Sequence, residues 1–177
     1  LEAERRRRQD QGLQRQMRPV DGPQDTHLVV DGKRVLSLCS NDYLGLANSD
    51  DLKGVYQEAI RKHGVGSGAS RLVSGTMAAH LELEERIAAF KNAGAGLTFS
   101  SGFAAATGSI PAIVGKDDII ILDKLCHASL IDGARLSGAV IRVFPHNDLN
   151  KLASHLQWAA GKKSPESRVL VITESVF

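Results

Sequence analysis

The sequence predicts an α/β fold: a three-layer, mostly parallel sheet with helices on both faces, preceded by an N-terminal helical arm and a hairpin. Three observations predict it. From about residue 75 onward, short β-prone runs alternate with helical stretches, the pattern of βαβ units joined by right-handed crossovers. Two of those runs, Ile119 to Leu122 and Arg168 to Thr173, are largely apolar, as strands covered by helices require. The residues best suited to chemistry follow the predicted strands: Ser100 to Phe103, Asp123 to His127, His146-Asn147-Asp148 and Glu174. Ligands of such sheets sit beyond the carboxyl ends of the strands.

The elements follow in order. Glu2 to Arg18, rich in Arg, Gln and Glu, suits an exposed helix that Pro19 and Gly22-Pro23 break. His27 to Val30 and Lys33 to Leu38 flank Asp31-Gly32, the signature of a hairpin. Asn41 to Leu46 is a turn-rich connector, and Asp50 or Asp51 caps a helix running to about His63. Gly64 to Thr76 is too long and too glycine-rich for a simple turn. A helix from about Ala78 to Asn92 turns Leu83, Ile87 and Phe90 to one side. The remainder reads as strand 96–99, helix 103–114, strand 118–122, helix 128–137, strand 139–143, helix 148–159 and strand 168–173. Residues 1–47 are thus expected to form an arm and hairpin, and residues 48–177 an incomplete large domain.

At 177 residues, with 42% of them hydrophobic, the chain can build a core of ordinary size. A net charge of +2 argues neither for nor against nucleic acid, and none is expected as a partner. The basic excess is local, in Arg5 to Arg8 with Arg15 and Arg18, and the four-arginine run reads as the solvated face of the leading helix. No apolar run is long enough to cross a bilayer and no secretory pattern opens the chain, so no membrane role is expected. Cys39 and Cys126 are far apart and form no CxxC. They are expected to be buried small hydrophobes in a reducing cytoplasm. No His, Cys, Asp or Glu grouping has metal spacing. The chain stops just past a buried strand, which reads as a truncation.

The strongest local signal is Ser100-Ser101-Gly102-Phe103, between strand and helix. Such a turn offers unpaired backbone N–H groups and the positive end of a helix dipole, a seat for phosphate. Alone it is weak, because any strand-to-helix turn favours Ser and Gly. One βα unit later His127 stands at the mouth of the next helix, where it can lie flat against a ring. A lone histidine more often caps a helix or packs in a core, but the phosphate-type turn shifts that balance. Together the two suggest a phosphorylated aromatic cofactor. Gly64-Val65-Gly66-Ser67-Gly68-Ala69 matches a loose G-x-G-x-x-A spacing, but a helix precedes it rather than a strand. Arg71, Ser74 and Thr76 in that loop suggest a backbone passing close to a ligand or another subunit. His146 reads as structural beside the capping residues Asn147 and Asp148; His63, His80 and His155 read as bland. Asn41 serves either a site or merely a turn.

Several motifs in combination resemble the α-oxoamine synthases. They are Ser40-Asn41-Asp42-Tyr43-Leu44-Gly45-Leu46, Gly66 to Arg71 with Ser74-Gly75-Thr76, His80 to Glu84, Ser101-Gly102-Phe103, Asp123 to Ser129, Phe144 to Asp148, and Thr173 to Phe177. The resemblance runs from about Arg15 to the last residue. It implies the aspartate-aminotransferase-like fold (fold type I), pyridoxal 5′-phosphate as cofactor, and cytoplasmic homodimers with active sites at the subunit interface. The implied reaction joins an amino acid to an acyl-CoA or acyl-carrier protein, releasing CO2 and the thiol. Within the family the likeness is greatest to members that join L-alanine to a pimeloyl thioester in biotin synthesis. Glycine C-acetyltransferase, 5-aminolevulinate synthase and serine palmitoyltransferase remain alternatives. A non-catalytic phosphate- or nucleotide-binding α/β module is the alternative from another class.

The resemblance also implies roles. Ser101, Gly102 and Phe103 would seat the cofactor phosphate through backbone N–H groups, His127 would stack on the pyridine ring, and Glu174 would lie at the cofactor. Asn41 would position the amino-acid carboxylate, Arg15 would lie near the acyl substrate, and Ser70 would border the partner subunit's site. Two departures stand out. Ala106 occupies a position where the family often carries Asn. The Asp that pairs with the pyridine nitrogen and the Lys that holds the cofactor covalently would lie past Phe177, so these 177 residues alone are not expected to turn over.

Overall fold

The chain divides into two units, Leu1–Gly75 and Thr76 onward. The computed structural model describes residues 1–162 and 164–176.

In the first unit, α1 (Glu2–Asp10) carries ion pairs from Arg6 to Glu2 and from Arg7 and Arg8 to Glu4, at 2.9–3.1 Å. All are exposed, so each contributes only about 0.3–0.5 kcal/mol. The helix expected to reach Arg18 stops at Asp10. Gly12 takes φ +67° and the Leu13 N–H bonds back to the Arg8 carbonyl at 2.8 Å, a left-handed glycine stop. The strands β1 (Val20–Asp21), β2 (His27–Val30) and β3 (Lys33–Leu36) form an antiparallel meander. Asp31 (φ 51°) and Gly32 (φ 72°) both lie in the left-handed region, which gives the hairpin turn that matches strand twist. Helix α2 (Asp50–His63) has Ser49 at its N-cap. Asp50 and Asp51 therefore do not cap it but sit in its first turn, where their charge suits the dipole. Within the glycine-rich stretch, Arg71–Gly75 winds into one π-turn, closed by the Gly75 N–H on the Ser70 carbonyl at 3.0 Å. Among the described residues of this unit, Gly75 alone is buried.

The second unit contains α3 (Ala78–Phe90), α4 (Gly102–Ile113), β4 (Ile119–Asp123), α5 (Ala128–Ser137), β5 (Val140–Phe144), α6 (Leu149–Lys162) and β6 (Val169–Ile172). The strands pair in the order β5-β4-β6, all parallel, with Ile119 opposite both Val140 and Val169. β4 is buried at every position, and its side chains alternate between faces. Ile120 and Leu122 join Ala106 and Ile110 of α4 and Ala134 of α5 in one cluster. Ile119 and Ile121 join Phe144 and Ala159 of α6 in another. Burying each such isoleucine stabilises by roughly 1.5–3 kcal/mol. The four apolar residues of β4 thus fix helices on both faces, giving three layers.

Two expectations are corrected here, strand 96–99 and the burial of Cys39. Residues 96–99 run extended but join no sheet. The Thr98 N–H and hydroxyl both donate to Glu84 Oε1 at 2.8 Å, and a Cβ on Gly96 would fall 2.7 Å from the Glu84 carbonyl. The segment is therefore bound to α3 rather than to a strand. On α3 itself Leu83, Ile87 and Phe90, expected only to share one side, are exposed, and the buried positions are Glu84 and Ala88. Of the cysteines, Cys126 is buried but Cys39 is exposed.

Helices α4 and α5 cross at Gly133, where a Cβ would lie 2.6 Å from the Ala106 carbonyl and 2.9 Å from Ile110 Cδ1. A backbone carbonyl cannot yield as a side-chain tip can. Gly133→Ala in the full-length protein is expected to cost about 1–3 kcal/mol. Gly161→Ala, where a Cβ meets nothing within 4 Å, is expected to be neutral or stabilising. Urea denaturation of the two variants checks the contrast.

Candidate functional site at the carboxyl edge of the sheet

Helix α4 opens on Ser101, an extended N-cap (φ −160°, ψ 161°) whose Oγ accepts the Ala104 N–H at 3.0 Å. The helical ladder begins with the Ala105 N–H on the Ser101 carbonyl. The Gly102 and Phe103 N–H groups therefore emerge at the helix end with the positive dipole behind them. A Cβ built on Gly102 meets nothing within 4 Å, so open space lies in front of that end.

The strand-to-helix turn after β4 rests on Asp123, only 2% exposed. Its Oδ1 accepts the Leu125 N–H at 2.9 Å; its Oδ2 accepts the Thr173 hydroxyl at 3.1 Å and lies 2.9 Å from His146 Nδ1. Burial by itself pushes the Asp123 carboxyl up, but the bonds from Leu125, His146 and Thr173 together outweigh it and hold the group below the usual range. His127 caps α5: its Nδ1 accepts the Ser129 N–H at 3.2 Å and lies 2.8 Å from Ser129 Oγ. The His127 backbone N–H donates to Glu174 Oε2 at 2.6 Å. Below the turn, burial pushes the Cys126 thiol up, with the Glu174 and Asp123 charges adding to it.

Gly102, Phe103, His127 and Glu174 line one cavity of about 650 Å³, floored by Ala106, Ile110 and Leu130. Ser101 adjoins it as the cap of α4. The structure thus brings together the sequence-predicted residues of the second unit. Arg15, Asn41 and Ser70 lie in the first unit and are exposed. Arg15 follows the α1 stop, Asn41 sits in the bend after the hairpin, and the Ser70 carbonyl closes the π-turn. Ala106 faces the α4–α5 crossing, so the position where the family often has Asn holds a small packing residue here. Among the described residues no cluster of three or more metal-ligating side chains occurs, and no helix is long and apolar enough to cross a membrane.

Residues 33–177 match the family model for aminotransferase class I and II. The chain belongs to that family. It is 49% identical over 168 residues to an 8-amino-7-oxononanoate synthase of Geobacter sulfurreducens, covering 95% of this chain and 42% of the relative. It is 46% identical over 178 residues to the protein of that name from Fervidobacterium nodosum, covering 100% of this chain and 45% of the relative. A solved serine palmitoyltransferase from S. paucimobilis, with a bound PLP–myriocin aldimine, superposes with a TM-score of 0.83 at 31% identity, over 96% of this chain and 42% of that one. The chain spans about two-fifths of the length of these relatives. Its fold is fold type I, as the resemblance implied.

Sequence reading missed two parts of the site. It gave Asp123 no role of its own and took His146 as packing locally, whereas the two side chains meet at 2.9 Å, with Asp123 buried and His146 half-buried. The available signal was an acidic residue closing an all-apolar strand, with Thr173 at the matching end of β6. It also passed over Ser129, which is buried against His127.

Asp123 and Asp118 both have carboxyls held below the ordinary range. For Asp118 the main cause is the Arg168 N–H, followed by that of Gly115. A lowered folded-state value means stability that is present above the unfolded value, near pH 4, and lost as pH falls through the folded one. Stability of the full-length protein is therefore expected to decline below about pH 4. Asp123→Ala is expected to remove about 1–3 kcal/mol at neutral pH and to flatten that decline. Denaturant midpoints measured from pH 3 to pH 7 test both.

Proposed function

We propose that the protein is a pyridoxal-phosphate-dependent α-oxoamine synthase that condenses an amino acid with an acyl thioester, giving an amino ketone, CO2 and the free thiol. The observation that carries this reading is the shared cavity. The N-terminus of α4, the His127 ring and the Glu174 carboxylate converge on one space at the carboxyl edge of a parallel sheet. A volume of about 650 Å³ lies in the range of small-molecule sites. The residues fit the cofactor in chemistry as well as in size. Gly102 and Phe103 offer N–H groups to a phosphate, and the open space at Gly102 lets it approach. His127 offers a ring face, and Ala106, Ile110 and Leu130 give an apolar floor. Bound there, pyridoxal phosphate supplies the electron sink that lets one carbon lose CO2 and accept the acyl group.

Asn41 positions the amino-acid carboxylate in this reading, Arg15 lies near the acyl substrate, and Ser70 borders the partner subunit's site in a cytoplasmic homodimer. In this reading the covalent Lys and the Asp for the pyridine nitrogen come from outside these 177 residues. The substrates are L-alanine and pimeloyl-CoA or its carrier-protein thioester, supported by the 49% identity to a protein named for that product. A serine palmitoyltransferase activity is the second reading, favoured by the TM-score of 0.83 to such an enzyme.

In the full-length protein, His127→Ala is expected to cost tenfold or more in cofactor affinity or kcat/KM. The loss of its cap on α5 should cost only about 1 kcal/mol of stability. Cofactor titration beside a thermal melt decides this: unfolding, or an unchanged spectrum and rate, removes His127 from the cofactor face.

Comparing kcat/KM across substrate pairs tests the specificity. L-Alanine with a pimeloyl thioester should exceed glycine with acetyl-CoA or succinyl-CoA. The amino-acid methyl contributes about 1–3 kcal/mol, and each buried CH2 of the acyl chain contributes about 0.8 kcal/mol. A preference for L-serine with a long acyl thioester would select the second reading.

A further inference from the structure

We infer that Ser129 is a positioning residue that commits the His127 imidazole to one tautomer, with the proton on Nε2 and a hydrogen-bond donor available to the cavity. Two observations on the same atom carry this. The Ser129 backbone N–H points at His127 Nδ1 at 3.2 Å, and Ser129 Oγ lies 2.8 Å from it. A backbone N–H can only donate, so this contact favours the form in which Nδ1 presents its lone pair. The hydroxyl then serves as a second donor to the same lone pair. An Nδ1–H would instead face the Ser129 N–H, proton against proton. Ser129 is 7% exposed, which shields its side of the contact from water. The backbone is fixed as well, because His127 is the N-cap of α5 and its own N–H is held by Glu174. Both anchors leave Nε2 as the ring atom not used by the cap.

The consequence is a constraint on the ligand. With the proton on Nε2, His127 offers a donor, so the group it meets in the cavity must be an acceptor such as a carboxylate or carbonyl oxygen. The substrate side of this statement rests on the proposed synthase activity; the tautomer does not.

The test uses the full-length protein labelled with 15N-histidine, without cofactor, and assigns His127 by comparison with His127→Gln. The expected spectrum shows the Nε2–H tautomer; an Nδ1–H tautomer overturns the proposal even if the enzyme proves to be a synthase. Ser129→Ala keeps the backbone N–H and removes only the hydroxyl donor, so a minor Nδ1–H population should appear beside the Nε2–H form, and KM for L-alanine should rise about tenfold while kcat changes less than threefold. Ser129→Thr, which keeps the hydroxyl, should restore both. A Ser129→Ala variant with wild-type tautomer and wild-type KM refutes the positioning role. If the variant lowers stability with no change in either readout, Ser129 is only a packing residue and the proposal fails. A correct tautomer in a protein that takes no pyridoxal phosphate would defeat the synthase reading and leave the tautomer assignment standing.

Discussion

The carboxyl edge of the sheet depends on the buried carboxylate of Asp123. It reaches its own turn through the Leu125 N–H, the loop after β5 through His146, and the chain after β6 through Thr173. Three neighbouring strand ends are thereby tied to one side chain. An ionised carboxylate accepts at two oxygens and donates nothing, so it suits a place where only donors converge. It also sets the direction of the bonds around it. His146 must present Nδ1–H to Asp123, which leaves its Nε2 to accept from Asn147 Nδ2 at 3.1 Å. An amide at position 123 would turn an N–H toward one of these donors and leave it unsatisfied.

The opposite edge is organised by the same logic with a more open residue. Asp118 accepts the Arg168 N–H at 2.6 Å and the Gly115 N–H at 2.8 Å, joining the start of β6 to the turn that leads into β4. Strand β4 therefore runs between two carboxylates that each hold an adjoining segment in register. Between them its side chains are entirely apolar, and the period of two sends them alternately to the α4–α5 layer and the α6 layer. Strand register, helix placement and the position of the His127 turn are consequences of one short segment and its two polar ends.

Legibility from sequence followed the range of the physics. Helix α5 and the Asp31-Gly32 hairpin were readable to within a residue or two, because turn chemistry and caps act over three or four positions. The α1 boundary failed for a local reason that was present in the sequence. Gly12 stops the helix seven residues before Pro19, and only the proline was weighed. Residues 96–99 failed for a non-local reason. Their β-propensity is real, but Glu84, fourteen residues from Thr98, takes the Thr98 N–H, a donor that a strand neighbour could have used. On α3 periodicity identifies an apolar face but not what covers it, and Leu83, Ile87 and Phe90 are exposed. In the candidate site, Ser101, Gly102 and His127 carried local signatures, and the fold sets them at neighbouring helix N-termini. Asp123 and His146 were separated by 23 positions and joined only by folding.

His127 shows why a structural and a functional explanation of one residue need not compete. Capping a helix is the more common fate of a histidine at such a turn, and His127 does cap α5. The cap uses Nδ1 alone. The ring faces and Nε2 are untouched by it, and the residue lines the cavity beside Glu174. The two explanations would exclude each other only if they required the same atom. Because they require different atoms, the cap becomes part of the site. It supplies the rigidity that holds an exposed ring in one orientation before any ligand arrives, which lowers the ordering entropy a ligand at that face would cost.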